Sequence, residues 1–481
     1  MNWFKKLLKR NITIPIQRGW SAGQSNRFLN DWVTGLTDIN SDLKSDLPTI
    51  RTRTKDMVQN CPFFNKYLSL RQKNIFGNNG IGLQIKARDD NGKLDKRANQ
   101  ELEIAWKDFC KPQNLTVERN KSMLDLCTML DATKETSGEF FIRIIKGFDN
   151  KYGLALQVID PAKCDIDANK PAKMGGQPQT IMGIKLDQWG SPNAYIFKQT
   201  YDLNNYNYTP QKTVTYSSSE IIHGFNQNFP GQVRGYPKAA SILFNLQMLK
   251  GYSEAEVMAA RANACKMGFF TTPAGEDIKG MADDKSGEQY QINVEPMTFQ
   301  KLPNGSEFKT FDTNNPNANY ANFIQAQLRE IASGLDIGYN SLHSNMESVN
   351  FSSLRSSAIE ERDRWKIEQK WYIEHLLEPI FNIWLDMYLL SDMTKLPYSK
   401  KWKFNTPIWQ PRTWQWVDPY KDAQANQMLM ENYVIPPQDI IAETGRDAED
   451  VLDQFEMWEQ MKAERKGLVN NQVNKNEVNN G

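Results

Sequence analysis

The sequence predicts an α+β chain of several domains, with strands gathered in one stretch and long helices in the next. Two observations carry this. Between residues 77 and 230, short runs of strand composition are separated by turn signals: FFIRII (140–145), LALQVID (154–160), GIKLD (183–187), AYIFKQ (194–199) and EIIHGF (220–225). From Tyr236 to Leu390 apolar residues instead recur at helical spacing over long distances, interrupted by polar inserts. Length agrees, since 481 residues with 40% apolar content can bury a sizeable core spread over roughly two to four domains.

Taken in order, the first ten residues, MNWFKKLLKR, set Trp3, Phe4, Leu7 and Leu8 against Lys5, Lys6, Lys9 and Arg10. On a helix this gives one apolar and one basic face. The stretch is too short for a signal-peptide core and lacks a small-residue cleavage site. A terminal helix docked on a partner is the plainer reading, a membrane-surface anchor the sharper one. Residues 11–50 are polar, with scattered Gly, Asn, Ser and Asp, and read as an extended arm with little core. Residues 51–76 follow a helical period through Met57, Phe64, Tyr67, Leu68 and Ile75, and GNNGIG (77–82) turns the chain into the strand LQIKA. Phosphate loops follow a strand and open a helix; the order here is reversed, so the glycines mark a helix C-cap. Helices are expected at 98–110 and 119–137, ahead of the strands.

Pro237 suits a first helical turn. After it, Ile242, Leu243, Leu246, Leu249, Tyr252 and Val257 predict a helix through Phe270, about 50 Å long. Ala255, Ala259, Ala260, Ala262 and Ala264 would let neighbouring backbones approach closely. Residues 271–315 are polar and punctuated by Gly and Pro, with strand candidates at YQINV and FKTFD. Helix returns at 319–335. An Asn/Ser-rich loop runs from 339 to 352, and a long helix from about 353 to 390 carries Pro379, which should kink it. Residues 396–420 hold Trp402, Trp409, Trp414 and Trp416 among prolines, an extended segment expected to dock back on the body. Helices at 421–432 and 448–467 follow, and the Asn-rich tail from Leu468 has the composition of a disordered segment.

Charge narrows the function classes. Lys plus Arg is 58 and Asp plus Glu is 57, so a protein gripping nucleic acid over a wide basic face is disfavoured. The five cysteines (Cys61, Cys110, Cys127, Cys164, Cys265) are scattered and form no CxxC pair, which argues against a disulfide framework. Three histidines, His223, His343 and His375, are thin material for metal or acid–base chemistry. No run approaches the roughly 18 apolar residues a spanning helix needs. There is no GxxxxGK[ST], GxSxG or HExxH. Asp277 and Lys279 echo part of a nuclease motif without its upstream carboxylate. Asp165 with Asp167 reads as a solvated turn rather than a metal pair, and the alternating charges Glu360 to Arg364 as an ordinary helix face.

The order of motifs resembles the lambda-type family of bacteriophage portal proteins from Arg51 to Gly467. LPTIRTRTKDMVQNCPFFNKYLSLRQKNIFGNNGIGLQ is similar to the family's opening helix and turn, and SGEFFIRI to its Ser/Gly-Glu strand. EIIHGFNQNFPGQVRGYPKAASIL running into YSEAEVMAARANACKMGFF is the most specific block. YANFIQAQLREIASGLDIGYNSL with NFSSLRSSAIEERDRW is the second, and WQWVDPYKDAQANQMLMENYVIPPQDIIAETGRDAEDV the third.

The resemblance implies a multidomain portal fold with long stem helices, a mixed α/β wing, a small clip and a helical C-terminal crown. It implies a ring of about twelve subunits at one vertex of the virion capsid, assembled in the host cytoplasm, through which double-stranded DNA is packaged and ejected. The implied partners are the terminase large subunit, major capsid and scaffolding proteins and head–tail adaptor proteins, with no cofactor and no small-molecule substrate. Mapped onto this chain, residues 1–50 become an N-terminal arm, 51–236 the wing, 237–270 and 316–338 the stem helices, 271–315 the clip, 339–352 the tunnel loop, 353–420 the long wing helix with its Trp-rich return, 421–467 the crown and 468–481 the tail. The loop offers Ser341, His343, Ser344, Asn345, Ser348 and Asn350 to DNA. The stem helices carry Lys250, Arg261, Lys266 and Arg329, and the clip carries Asp277, Lys279, Asp283 and Asp284 as a docking surface. A DNA-processing nuclease or ATPase is the rival class and lacks its phosphate loop and carboxylate cluster. A membrane scaffold anchored by residues 1–10 is the other, and vesicle flotation with and without those residues separates it.

Overall fold

A computed structural model describes residues 38–171, 179–199, 212–264, 268–271, 307–310, 319–344, 350–414, 419–443 and 451–463, with 448 and 465. Helix α1 (Ile39–Asn60) is followed by α2 (Pro62–Ile75), β1 (Gly82–Ile85), α3 (Lys96–Phe109), the single turn α4 (Pro112–Leu115) and α5 (Met123–Ser137). The extended arm expected through residue 50 is corrected here, because α1 begins at Ile39 and buries Leu43, Leu47, Arg51, Thr54 and Met57 along one face. The polar residues between its buried positions masked that face, and Pro48 is accommodated within the helix. Its missing N–H leaves the Lys44 carbonyl without the usual donor. The start of α5 also moves inward, to Met123. A capping box sets it, with the Ser122 hydroxyl accepting from the Asp125 N–H and the Asp125 carboxylate accepting from the Ser122 N–H.

Strand β2 (Glu139–Lys146) is central. It pairs antiparallel with β3 (Leu154–Ile159) on one side and, across the sheet, with β8 (Ile221–Phe225) on the other. The strands β4 (Thr180–Ile181), β5 (Ile184–Leu186), β6 (Pro192–Lys198) and β7 (Thr213–Ser217) form a second antiparallel sheet in sequential order. β4 and β7 were not expected from the sequence; β7 has strand composition in Thr213–Tyr216 but is short and alternates exposed and half-buried residues. The period of two in FFIRII is read directly by packing. Phe140, Ile142 and Ile144 enter the larger core, while Phe141 enters a second core with Tyr195, Phe197, Met182 and Val233.

The larger core joins this sheet to α6 (Leu243–Ala264), α7 (Tyr320–Leu335) and the long helical run α9 (Phe351–Tyr372) and α10 (Glu378–Leu389). A short helix α8 (Tyr339–His343) links α7 to α9. The helix expected through Phe270 ends earlier: residues 238–241 form a 3-10 turn, α6 spans 22 residues, and Gly268–Thr271 is a strand, β9, paired antiparallel with β10 (Glu307–Thr310). Gly268 disfavours a helical continuation and the aromatic pair Phe269–Phe270 favours the strand. The kink expected at Pro379 is absorbed differently. Ile373–Leu377 forms a π turn just before it, and Pro379 then occupies the first turn of α10, where no N–H is needed.

After the turn α11 (Lys401–Phe404), strand β11 (Pro407–Gln410) pairs with β1, and Trp409 packs edge-on to Trp106. The Trp414 indole N–H donates to Asn74 at 3.0 Å. The described part of the Trp-rich segment thus returns to the body. Helices α12 (Pro419–Glu431) and α13 (Pro437–Glu443) and the helical residues 451–463 complete the described chain. Among the described residues no helix is long and apolar enough to cross a membrane, and no group of three potential metal ligands occurs.

Candidate functional site

Two antiparallel helices, α6 and α7, form a hairpin rooted in the body. Tyr252 stacks on Tyr320 at 5.8 Å between ring centroids and meets Phe323 at 4.9 Å. Nearer the root, Gly334 lies so close to Ile242 that a Cβ there would overlap the Ile242 side chain. Leu328, Ile331, Ala332 and Leu335 bury one face of α7. The outer face of α6 is the opposite case: Phe244 is 74% exposed and Met258 64%, with Met248 also exposed.

The hairpin is fixed to the body at both ends by charge. At its entry, residues 231–236 run over β2 and place Arg234 against Glu139. Glu139 is fully buried and accepts from Arg51 at 2.6 Å, from Arg234 Nε at 2.8 Å, from the Gly235 N–H at 2.9 Å and from His223 Nε2 at 3.0 Å. Burial pushes the Glu139 carboxyl up, but Arg234 and Arg51 overcome it and hold the group well below the usual carboxylate range. Burial holds His223 down and therefore neutral; its ring stacks between Phe141 and Phe225. Arg234 also donates to the Met182 carbonyl at 2.7 Å, tying the second sheet to the same point. This approach needs Gly138, which caps α5 at φ 85° and whose Cβ would run into the Tyr236 backbone.

At the hairpin's exit, α7 ends on Asp336 in the left-handed region. Its carboxylate pairs with Lys238 at 3.2 Å and Arg364 at 3.0 Å, so the entry, the exit and α9 meet at one side chain. Deeper in the body, α9 is held by a second buried group. Arg71 pairs with Asp131 at 2.7 Å, Glu368 at 3.0 Å and Glu135 at 3.2 Å. Lys134 reaches Glu368 at 3.2 Å with its ammonium 3.8 Å from the Trp371 ring centroid. Although burial opposes it, Arg71 and Lys134 keep the Glu368 carboxyl below its ordinary range.

The residues singled out in the sequence divide accordingly. Lys250 is half-buried and Arg261 exposed, both on α6; Arg329 is exposed on α7 with its guanidinium 5.3 Å from the Tyr339 ring. Ser341 is not presented outward, because its hydroxyl donates to Glu361 at 2.7 Å within α8's packing on α9. His343 is exposed and its ring stacks on Tyr339 and Phe63. Ser344 caps α8 in the left-handed region, and Asn350 immediately precedes α9. The loop expected at 339–352 is therefore shorter, since helix occupies 339–343 and resumes at Phe351. Asn345, Ser348, Lys266, Asp277, Lys279, Asp283 and Asp284 lie outside the described residues. Asp165 and Asp167 both pair with Lys198, at 3.0 and 3.2 Å, as a charge-balanced turn.

Sequence reasoning missed Glu139, Arg234, Arg51 and Arg71 as organising residues. The available signal was charge interrupting apolar segments: Glu139 opens the apolar run FFIRII, and Arg71 sits at helical spacing after Phe64, Tyr67 and Leu68. None of these groups is arranged around a cavity. The arrangement holds helices at fixed angles and leaves one helix face uncovered.

A family profile described as phage portal protein, lambda family, matches residues 25–369. A curated "Probable portal protein" of Halomonas phage phiHAP-1 is 30% identical over 447 residues, covering 92% of this chain and 86% of that one. Portal protein B of Escherichia phage lambda is 21% identical over 482 residues, covering 92% and 88%. Among solved structures, a chain from the neck of an empty GTA particle computed with C6 symmetry is similar at TM-score 0.44 and 12% identity, over 83% of this chain and 93% of that chain.

Proposed function

Since this chain belongs to the lambda family of phage portal proteins, we propose that it assembles with its own copies into a closed ring at one vertex of a phage capsid, and that double-stranded DNA enters and leaves through the central hole. The observation that carries this reading is the outer face of α6. Phe244, Met248 and Met258 are exposed together along one side of a helix rooted in the body, and an apolar face of this kind is characteristic of a protein–protein contact. Repeated around a rotation axis, one such heterologous contact per subunit closes a ring of about twelve copies.

In this reading α6 and α7 form the channel wall and residues 344–350 approach the DNA. A conduit must touch DNA without holding it, and affinity rises steeply with each phosphate neutralised. Residues 339–352 contain no Lys or Arg, and His343 and Glu347 are their only side chains able to carry charge near neutral pH, which suits contact without retention. Asp277, Lys279, Asp283 and Asp284 are assigned to docking of the packaging motor and, later, of head–tail adaptor proteins. The protein acts as a structural conduit; ATP hydrolysis and DNA cleavage belong to its partners.

Electron microscopy of the purified full chain tests the ring. Closed particles with a central hole are expected. Only monomers and dimers under all conditions, including in the presence of the other head proteins, would sink it, as would ATPase or nuclease activity that copurifies with the pure chain and resists mutation of contaminants.

A further inference from the structure

The α6–α7 hairpin has two outer flanks, and their side chains match each other. The contacts of Tyr252 with Tyr320 and Phe323, and of Ile242 with Gly334, fix both which sides of the helices face inward and which residues share a level. With about 100° of turn per residue, Phe244, Gln247, Gly251, Glu254 and Met258 fall on the α6 flank turned away from α7, and all are exposed. Asn322, Ala326, Arg329 and Ser333 fall on the α7 flank turned away from α6, and all are exposed. The antiparallel alignment sets Gln247 level with Arg329, Gly251 with Ala326, and Glu254 with Asn322, to within about one residue or 1.5 Å of rise.

A second copy placed beside the first by rotation about the hairpin's long direction keeps those levels and brings the α6 flank of one copy to the α7 flank of the other. The guanidinium of Arg329 then faces the Gln247 amide oxygen, and the Asn322 amide N–H faces the Glu254 carboxylate. Gly251 opposite Ala326 lets the two backbones approach closely, and nothing lies within 4 Å of a Cβ built on Gly251 in the single chain. Phe244 and Met258, above and below, would cover the neighbour's helix.

We propose that the α6 flank docks head to tail on the α7 flank of a second copy, with Gln247–Arg329, Gly251–Ala326 and Glu254–Asn322 in register. The inference rests on the ring reading and adds to it which surfaces meet and at what level. Both polar pairs are directional, so the contact is heterologous and leads to rotation rather than to a closed two-fold dimer.

The test is cysteine cross-linking in the full chain carrying Cys265→Ser. Gly251→Cys combined with Ala326→Cys should give, on mild oxidation, a covalent ladder on denaturing gels, and either single variant should remain monomeric. Disulfides need Cα atoms within about 7 Å. Gly251→Cys with Ser333→Cys, displaced by about 10 Å along the helix, should cross-link several times less. A second measurement does not depend on the disulfide: Gln247→Arg should lower the fraction in rings about tenfold by setting like charges together, and adding Arg329→Glu should restore it. Rings seen by microscopy that give no ladder, or equal ladders from both pairs, overturn the flank assignment and leave the ring. Absence of rings from the unsubstituted chain overturns the ring reading itself.

Discussion

The body and the hairpin solve the problem of burial in opposite ways. In the body even charged groups are taken inside and matched there. Glu139 is one carboxylate held by two guanidiniums, whereas Arg71 is one guanidinium held by three carboxylates with Lys134 beside them. The hairpin holds itself together with Tyr252, Tyr320 and Phe323 and leaves Phe244 and Met258 in water. A body that matches its central buried charges internally is suited to keeping one shape, and a hairpin with an uncovered apolar face is suited to finding copies of itself. Substitutions in the two regions should therefore separate folding from assembly.

The largest effect is expected at the entry to the hairpin. Glu139→Gln leaves Arg51 and Arg234 buried without a carboxylate, and breaking a buried pair of this kind costs about 3–5 kcal/mol. Denaturant unfolding of the chain should show it, and a loss below about 1 kcal/mol would mean that the group does not organise the body. Arg71→Met should come next, somewhat less because Glu368 keeps some contact with water; circular dichroism melting compares the two variants directly.

Proton linkage gives a smaller, signed effect. Glu139 has a lowered carboxyl pKa in the folded chain, so its contribution is present above the ordinary value of 4.5 and is lost as pH falls below it. His223 is also lowered, from 6.5. The unfolded chain takes up a proton below that value before the folded chain does, so stability should start to fall as pH drops through 6.5. His223→Gln should flatten that upper part of the profile and leave the carboxylate part. An unchanged slope near the histidine value would assign the loss to another group.

The smallest effects on folding, and the sharpest contrast, belong to the hairpin. Phe244→Gln or Met258→Gln should alter unfolding free energy by no more than about 0.5 kcal/mol, as surface substitutions do, while lowering the fraction in rings measured by sedimentation. Equal losses in both measurements would erase the distinction between the regions. Removing residues 344–350 should leave rings intact and impair DNA retention. Removing 341–350 also takes away Leu342, which is buried, and the Ser341–Glu361 hydrogen bond, so it should cost stability as well.

Much of this was legible along the chain. The period of two in FFIRII identified β2, and the helical period through Leu243, Leu246 and Leu249 identified the buried face of α6. Ordered blocks of motif identified the family. Errors arose where a local signal had a second meaning. The polar residues 39–50 looked like an extended arm and lie in α1; Phe269 and Phe270 looked like a helical continuation and lie in β9; Asn340 and Ser341 looked like loop and lie in α8.

What the sequence determined by itself was the kind of most elements in the body and the face each would bury, because side-chain period is a property of neighbours. Which charges would be buried was decided only by tertiary structure. Glu139 meets Arg51 and Arg234 across 88 and 95 residues, and Arg71 meets Glu368 across 297. A charged residue is tolerable inside only when its partner arrives, and that arrival depends on how helices and sheets close on one another.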